Sequence, residues 1–156
     1  MTATLTVSAS TQTFQNRSTD SRIMTVIMHL QVCRKSGITP EEFRQHYENK
    51  HISLMRKISG DLFPVSHIRR YLNRRPTERP GQETPDSLLL GSPDSFAFDA
   101  IAEITYRDME HFQLHSALLQ NDDNAPVVQD DCAKFMNTAL SAIVLFYDSD
   151  VVETIA

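Results

Sequence analysis

The chain has 156 residues, 40% of them hydrophobic and 8% aromatic, which suits one domain with a buried core. Its 15 basic and 20 acidic residues give a net charge of -5, which argues against nucleic acid as the main partner, since phosphate recognition needs clustered positive charge. Cys33 and Cys132 lie far apart without CxxC spacing and read as free thiols of a reducing compartment. No apolar run approaches the ~18 residues of a membrane span, and the N-terminus lacks a charged segment followed by an apolar one. The expected location is therefore the cytoplasm, and Asn16-Arg17-Ser18 reads as a chance glycosylation pattern.

Residues 1–21 are rich in Ser and Thr without sustained periodicity and read as a flexible tail. Ile23 to Cys33 is the first strand, with Met24, Val26, Met28, Leu30 and Val32 on one face. Thr25, Ile27, His29, Gln31 and Cys33 share the other, mixed face. Thr39, Pro40 and Glu42 form a capped helix start, Phe43, Tyr47, Leu54, Met55 and Ile58 recur at helical spacing, and Gly60 stops the helix. Pro64 to Arg75 is the second strand, with His67, Arg69 and Tyr71 alternating with Ser66, Ile68, Arg70 and Leu72.

A stretch from Pro76 to Ser95 holds four of the seven prolines and two of the four glycines, so it reads as a long loop. Within it, Ser87 to Gly91 is either the anchor of a flap or a surface segment with one packed leucine. Phe96 to Tyr106 is the third strand. Asp108 caps a helix reaching about Gln120, with Met109, Phe112 and Leu119 inward. A helix restarting at Asn124-Ala125-Pro126 carries Val128, Cys132, Phe135 and Met136. Ser141 to Tyr147 is the fourth strand, and residues 151–156 form a C-terminal tail.

This order, β-α-β, long loop, β-α(-α)-β, is the split βαβ, ferredoxin-like arrangement of an α+β fold with a four-stranded antiparallel sheet, spanning residues 22–150 with the loop at 76–95. Helices cover one sheet face, and the polar strand positions are expected on the other. An open face with apolar residues among polar ones calls for a homodimer packed sheet to sheet, with a cavity in each protomer.

His51 shares a helix face with Phe43 and Tyr47. Spacing leaves open whether it is a satisfied core side chain or part of a reactive pocket. His29 is a candidate acid/base group on the mixed strand face. His67, Arg69 and Tyr71 project from one side of the second strand, where the arginine can clamp a carboxylate or enolate oxygen and the tyrosine a phenolic or keto oxygen. Asp99 and Glu103 share a face of the third strand and can orient an imidazole, or pair with Arg69 structurally. His111 and His115 have metal spacing but no motif supplies further ligands, so no metal is expected. His46 is expected to face solvent. There is no phosphate loop, nucleophile elbow or dinucleotide fingerprint.

The segments GITPEEFRQHYENKHISLM, GDLFPVSHIRRYL and FDAIAEITYRD resemble the EthD-domain family, in particular its small fungal members found beside polyketide synthases. The resemblance runs from about Met24 to Tyr147. It implies a dimeric α/β barrel and cofactor-free decarboxylation, dehydration or cyclisation of a polyketide or aromatic small molecule. It also implies that the histidine of YENKH, His51, points into the cavity. The resulting expectation is a lyase with His51, His29 and Asp99 as catalytic residues. Tyr47, His67, Arg69, Tyr71 and Glu103 would bind the substrate. A non-catalytic binding or accessory protein, and a cofactor-independent monooxygenase, use the same equipment.

Overall fold

The computed structural model describes residues 24–75, 84–85, 88–92 and 95–147, with the single positions 152 and 154. The expected tail at 1–21, most of the loop at 76–95 and most of the C-terminal tail lie outside these residues.

Strand β1 is Val26–Val32, β2 is Ser66–Tyr71, β3 is Arg74–Arg75, β4 is Thr84–Pro85, β5 is Ala100–Tyr106 and β6 is Ala142–Tyr147. The main sheet has the order β2-β5-β1-β6 with every neighbouring pair antiparallel, which is the ferredoxin-like topology. The expected second strand is broken, because β3 leaves the sheet and pairs with β4 instead. Arg74, where β3 begins, donates to the carbonyls of Phe96 and Phe98 at 2.7 and 2.6 Å and to Asp99 Oδ1 at 2.9 Å.

Helix α1, Pro40–His46, starts on the expected capping box. The Thr39 hydroxyl accepts from the Glu42 amide at 3.1 Å, and Glu42 Oε2 accepts from the Thr39 amide at 2.7 Å. The periodicity predicts one continuous helix, but the structure inserts a π-turn over Tyr47–His51 before α2, Ile52–Ser59. The Ile52 amide reaches back five residues to the Tyr47 carbonyl, so the turn carries one residue more than an α-turn. Gly60, at φ +51°, ends α2 as expected. Helix α3, Met109–Gln120, is capped by Asp108, whose Oδ1 accepts from the His111 amide at 2.7 Å. Helix α4 is Ala125–Phe135.

Register decides which face each strand residue occupies. Val26, Met28, Leu30 and Val32 pair with Tyr106, Ile104, Ala102 and Ala100, and these form the face under the helices. Phe43, Tyr47, Ile52 and Phe135 close that core from above. Because His67, Arg69 and Tyr71 pair with Ile104, Ala102 and Ala100, they too lie on the helix-covered face. This corrects the sequence expectation, which put them on the open face. The open face holds Ile27, His29 and Gln31 beside Ile101, Glu103 and Thr105, flanked by Ile68 and by Val144 and Phe146. In the segment Ser87 to Gly91, Leu89 and Leu90 are exposed, which fits a surface segment rather than a flap anchor.

Phe135 joins the helix layer to the core and touches the rings of Phe43, Tyr47, His46 and His51. Phe135→Ala is expected to cost about 3–5 kcal/mol, read as a fall in the urea midpoint. The exposed control Leu140→Ala should change stability by no more than about 0.5 kcal/mol. Similar shifts for the two variants would contradict this account of the core.

Candidate active site

The π-turn, α4 and the edge strand β2 meet around a cluster of ionisable side chains. Asp131 on α4 is only 7% exposed. Its Oδ2 lies 2.8 Å from His51 Nδ1 and its Oδ1 lies 2.9 Å from His46 Nε2. On the sheet side of the turn, the Tyr47 hydroxyl lies 3.4 Å from His67 Nε2. Glu48 binds Arg69 through both oxygens at 2.8 Å and accepts from the Tyr71 hydroxyl at 2.6 Å. Of the residues named from sequence, His51, Tyr47, His67, Arg69 and Tyr71 thus come together.

The cluster's electrostatics follow from burial and pairing. Burial lowers the His51 pKa below its ordinary value, and Asp131 only partly offsets it. Burial, with Arg69 and His51 beside it, pushes His67 down to about 3, so that ring is neutral. Burial raises Tyr47 far above the ordinary phenol range, so it keeps its proton. Burial opposes ionisation of Asp131, but the hydrogen bonds from His51 and His46 outweigh it and hold the carboxyl below its usual value. With Nδ1 donating to Asp131, His51 presents Nε2 as a proton acceptor, and this nitrogen has no hydrogen bond among the described residues.

Arg69 and Tyr71 are not the open clamp expected from sequence. Glu48 occupies the guanidinium fork in the bidentate geometry a substrate carboxylate would take. A third of the Glu48 side chain is exposed, so the pair borders solvent. An open cleft of about 460 Å³ lies beyond Tyr71, lined by Phe43, Arg44, Tyr71, Arg74 and Asp99 among others. The histidines of the cluster do not line it.

Three sequence candidates fall outside the cluster. His29 and Glu103 are cross-strand partners on the open face, on the opposite side of the sheet from His51. The His29 Nε2 is buried without a hydrogen-bond partner among the described residues. Asp99 orients no histidine. Its Oδ2 accepts from the Arg34 amide at 2.8 Å, and its Oδ1 accepts from Arg34 and Arg74. Arg69 is therefore not its partner. His111 and His115 are buried and engaged: His111 Nε2 meets the Leu62 carbonyl, and His115 lies between the Ser59 and Tyr106 hydroxyls. No group of three or more His, Cys, Asp or Glu among the described residues can hold a metal ion.

Sequence reasoning missed Asp131, Glu48 and His46. The spacing of Asp131 four residues before the inward Phe135 was the available signal, since i and i+4 share a helix face. His46 was expected in solvent, yet it stacks flat on Phe135 with ring centroids 4.9 Å apart. Its place three residues after the inward Phe43 was an available signal, whereas nothing in the sequence marks the π-turn that follows it.

The family model for the EthD domain matches residues 35–139, two thirds of the chain. The chain belongs to the EthD-domain family. No curated protein matches this EthD domain in sequence. Among solved structures it is similar to an EthD-family protein from Bacillus halodurans, at 20% identity and a TM-score of 0.44, over 79% of this chain and 96% of that one. An EthD-like protein from Ralstonia eutropha is 14% identical with a TM-score of 0.47, over 83% and 95% of the two chains. SnoaB, a cofactor-independent oxygenase from Streptomyces nogalater, is 12% identical with a TM-score of 0.44, over 85% and 99%. These remote likenesses carry no chemistry across to the EthD domain described here.

The buried histidines predict acid sensitivity. His67 and His115 are held down to about 3 and about 4, and His51 is also lowered, whereas unfolded histidines titrate near 6.5. Below about pH 6.5 the unfolded chain binds more protons, so stability falls as pH drops toward 4. The urea midpoint should therefore be level above pH 7 and decline between pH 6.5 and 4. His115→Gln should lessen that decline. A midpoint that is flat across this interval would contradict the assignment of neutral buried histidines.

Proposed function

We propose that this chain is a cofactor-free lyase that decarboxylates, dehydrates or cyclises a polyketide or related aromatic small molecule by histidine acid/base chemistry. The observation that carries the reading is the His51–Asp131 pair. A buried carboxylate fixes one imidazole nitrogen at 2.8 Å and leaves the other as a neutral base. Family membership supports the fold and leaves the reaction open.

For a β-keto acid the step balances within the site. His51 Nε2 takes the carboxylic proton, the bond to the carboxyl carbon breaks, and CO2 leaves. The electron pair becomes an enolate, and the imidazolium returns its proton to carbon. Asp131 stabilises the transient imidazolium, and protonated Tyr47, whose ring packs edge-on against His51, offers a hydroxyl donor for an enolate oxygen. Arg69 and Tyr71 hold the substrate's oxygens in this reading once Glu48 yields their donors.

His29, Glu103 and Asp99 take no part in this step. The open face instead suits the homodimer. Ile68, Val144 and Phe146 are 41%, 49% and 42% exposed on one surface, and a second copy would cover them. No helix among the described residues is long and apolar enough to cross a membrane.

His51→Ala is expected to lower kcat about 10²–10⁴-fold on a responsive β-keto or ortho-hydroxy aromatic acid while changing substrate binding little. CO2 release, product chromatography and calorimetric binding test this together. Tight binding with no turnover by the native protein would replace the lyase reading with a non-catalytic binder. Strict dependence of turnover on oxygen would replace it with a monooxygenase. Light scattering should separately report a dimer for the native chain and a monomer for Phe146→Asp. A native monomer would remove the dimer from the proposal.

A further inference from the structure

His46 and His51 meet the same carboxylate, which a regular helix would not allow. Five residues on an α-helix subtend 500°, so such side chains point about 140° apart. The π-turn absorbs one residue, and His46 and His51 then lie about as close in angle as residues four apart, roughly 40°. Each ring takes one oxygen of Asp131, and both rest on Phe135. Their settings differ. The His46 side chain is 22% exposed and that of His51 is 12% exposed, the latter set against Tyr47.

The trio is one carboxylate and two imidazoles, and a single added proton neutralises it. His46 meets Asp131 from the more exposed side. A positive charge on His46 opposes one on His51. Arg69 on β2 acts on His51 in the same direction, while the neutral His67 beside it is itself lowered by the His51 charge. From α4, Cys132 and Lys134 flank Asp131, and Lys134 is held on the surface by Asp130 at 2.6 Å.

We propose that His46 is a positioning residue that acts through Asp131: it holds one carboxylate oxygen from the solvent side and shares the carboxylate with His51, keeping His51 a neutral base. The consequence for turnover rests on the reading of His51 as the base, but the sharing of the carboxylate itself does not. Nitrogen-15 NMR of the substrate-free protein therefore tests the proposal whether or not the lyase reading survives.

His46→Gln keeps an amide donor for Asp131 Oδ1 but cannot charge. His51 is expected to retain its Nδ1–H tautomer in this variant, and its titration midpoint should rise by about one pH unit, a tenfold gain in proton affinity. His46→Asn gives the same readout if the Gln variant does not fold. In an Asp131→Asn background, His46→Gln should no longer move His51. A His51 midpoint that stays put or falls in folded His46→Gln protein would overturn the proposal. So would a shift of equal size in the Asp131→Asn background, because the effect would then bypass the carboxylate.

Discussion

A buried carboxylate has to be neutralised where it stands, and much of this molecule is arranged around that requirement. Desolvating an ion costs several kcal/mol unless oriented partners compensate. Asp131 sits on a short helix with Phe135 one turn away, so its oxygens point at the facing helix rather than into water. The partners available there are residues 46 and 51, which converge only because the helix is wound with an extra residue between them. The π-turn, the stacked imidazoles and the aromatic floor are three parts of one solution.

The same turn solves a second problem on its sheet side. Glu48 lies between the helix layer and β2, where Arg69 and Tyr71 neutralise it. Edge strand β2 can carry such polar residues on a core-facing side because no strand among the described residues pairs on its outer side. Two carboxylates on different elements thus tie α4 to the π-turn and the π-turn to the sheet. Between them lie Tyr47 and His67, held in neutral forms by burial.

Much of the fold could be read from the sequence, for local reasons. The Thr39 capping box, the Gly60 stop and the alternation in Ala100–Tyr106 are short-range patterns, and each appears where expected. The order of elements fixed the topology. Side-chain facing in β2 was less accessible, because alternation identifies two faces without saying which one the helices cover. Only the pairing of Arg69 with Ala102 settles that. The site was half legible for a related reason. His51 and Tyr47 were read as one helix face and His67, Arg69 and Tyr71 as one strand face, whereas bringing His46 and His51 to one carboxylate takes a π-turn that periodicity does not show. His29 and Asp99 had the right chemistry in the wrong places: one on the far side of the sheet, the other held by Arg34 and Arg74.

The hold that Arg74 exerts has a bearing on how such domains diversify. Its guanidinium joins the chain just before the long insertion to Phe96, Phe98 and Asp99 just after it. The two ends of the insertion are therefore stapled together at its base. Loop-closure entropy grows only slowly with length, and a stapled base removes much of the remaining penalty. A change of length in the insertion would therefore start from a base that already holds its two ends, with the acid–base groups on other elements.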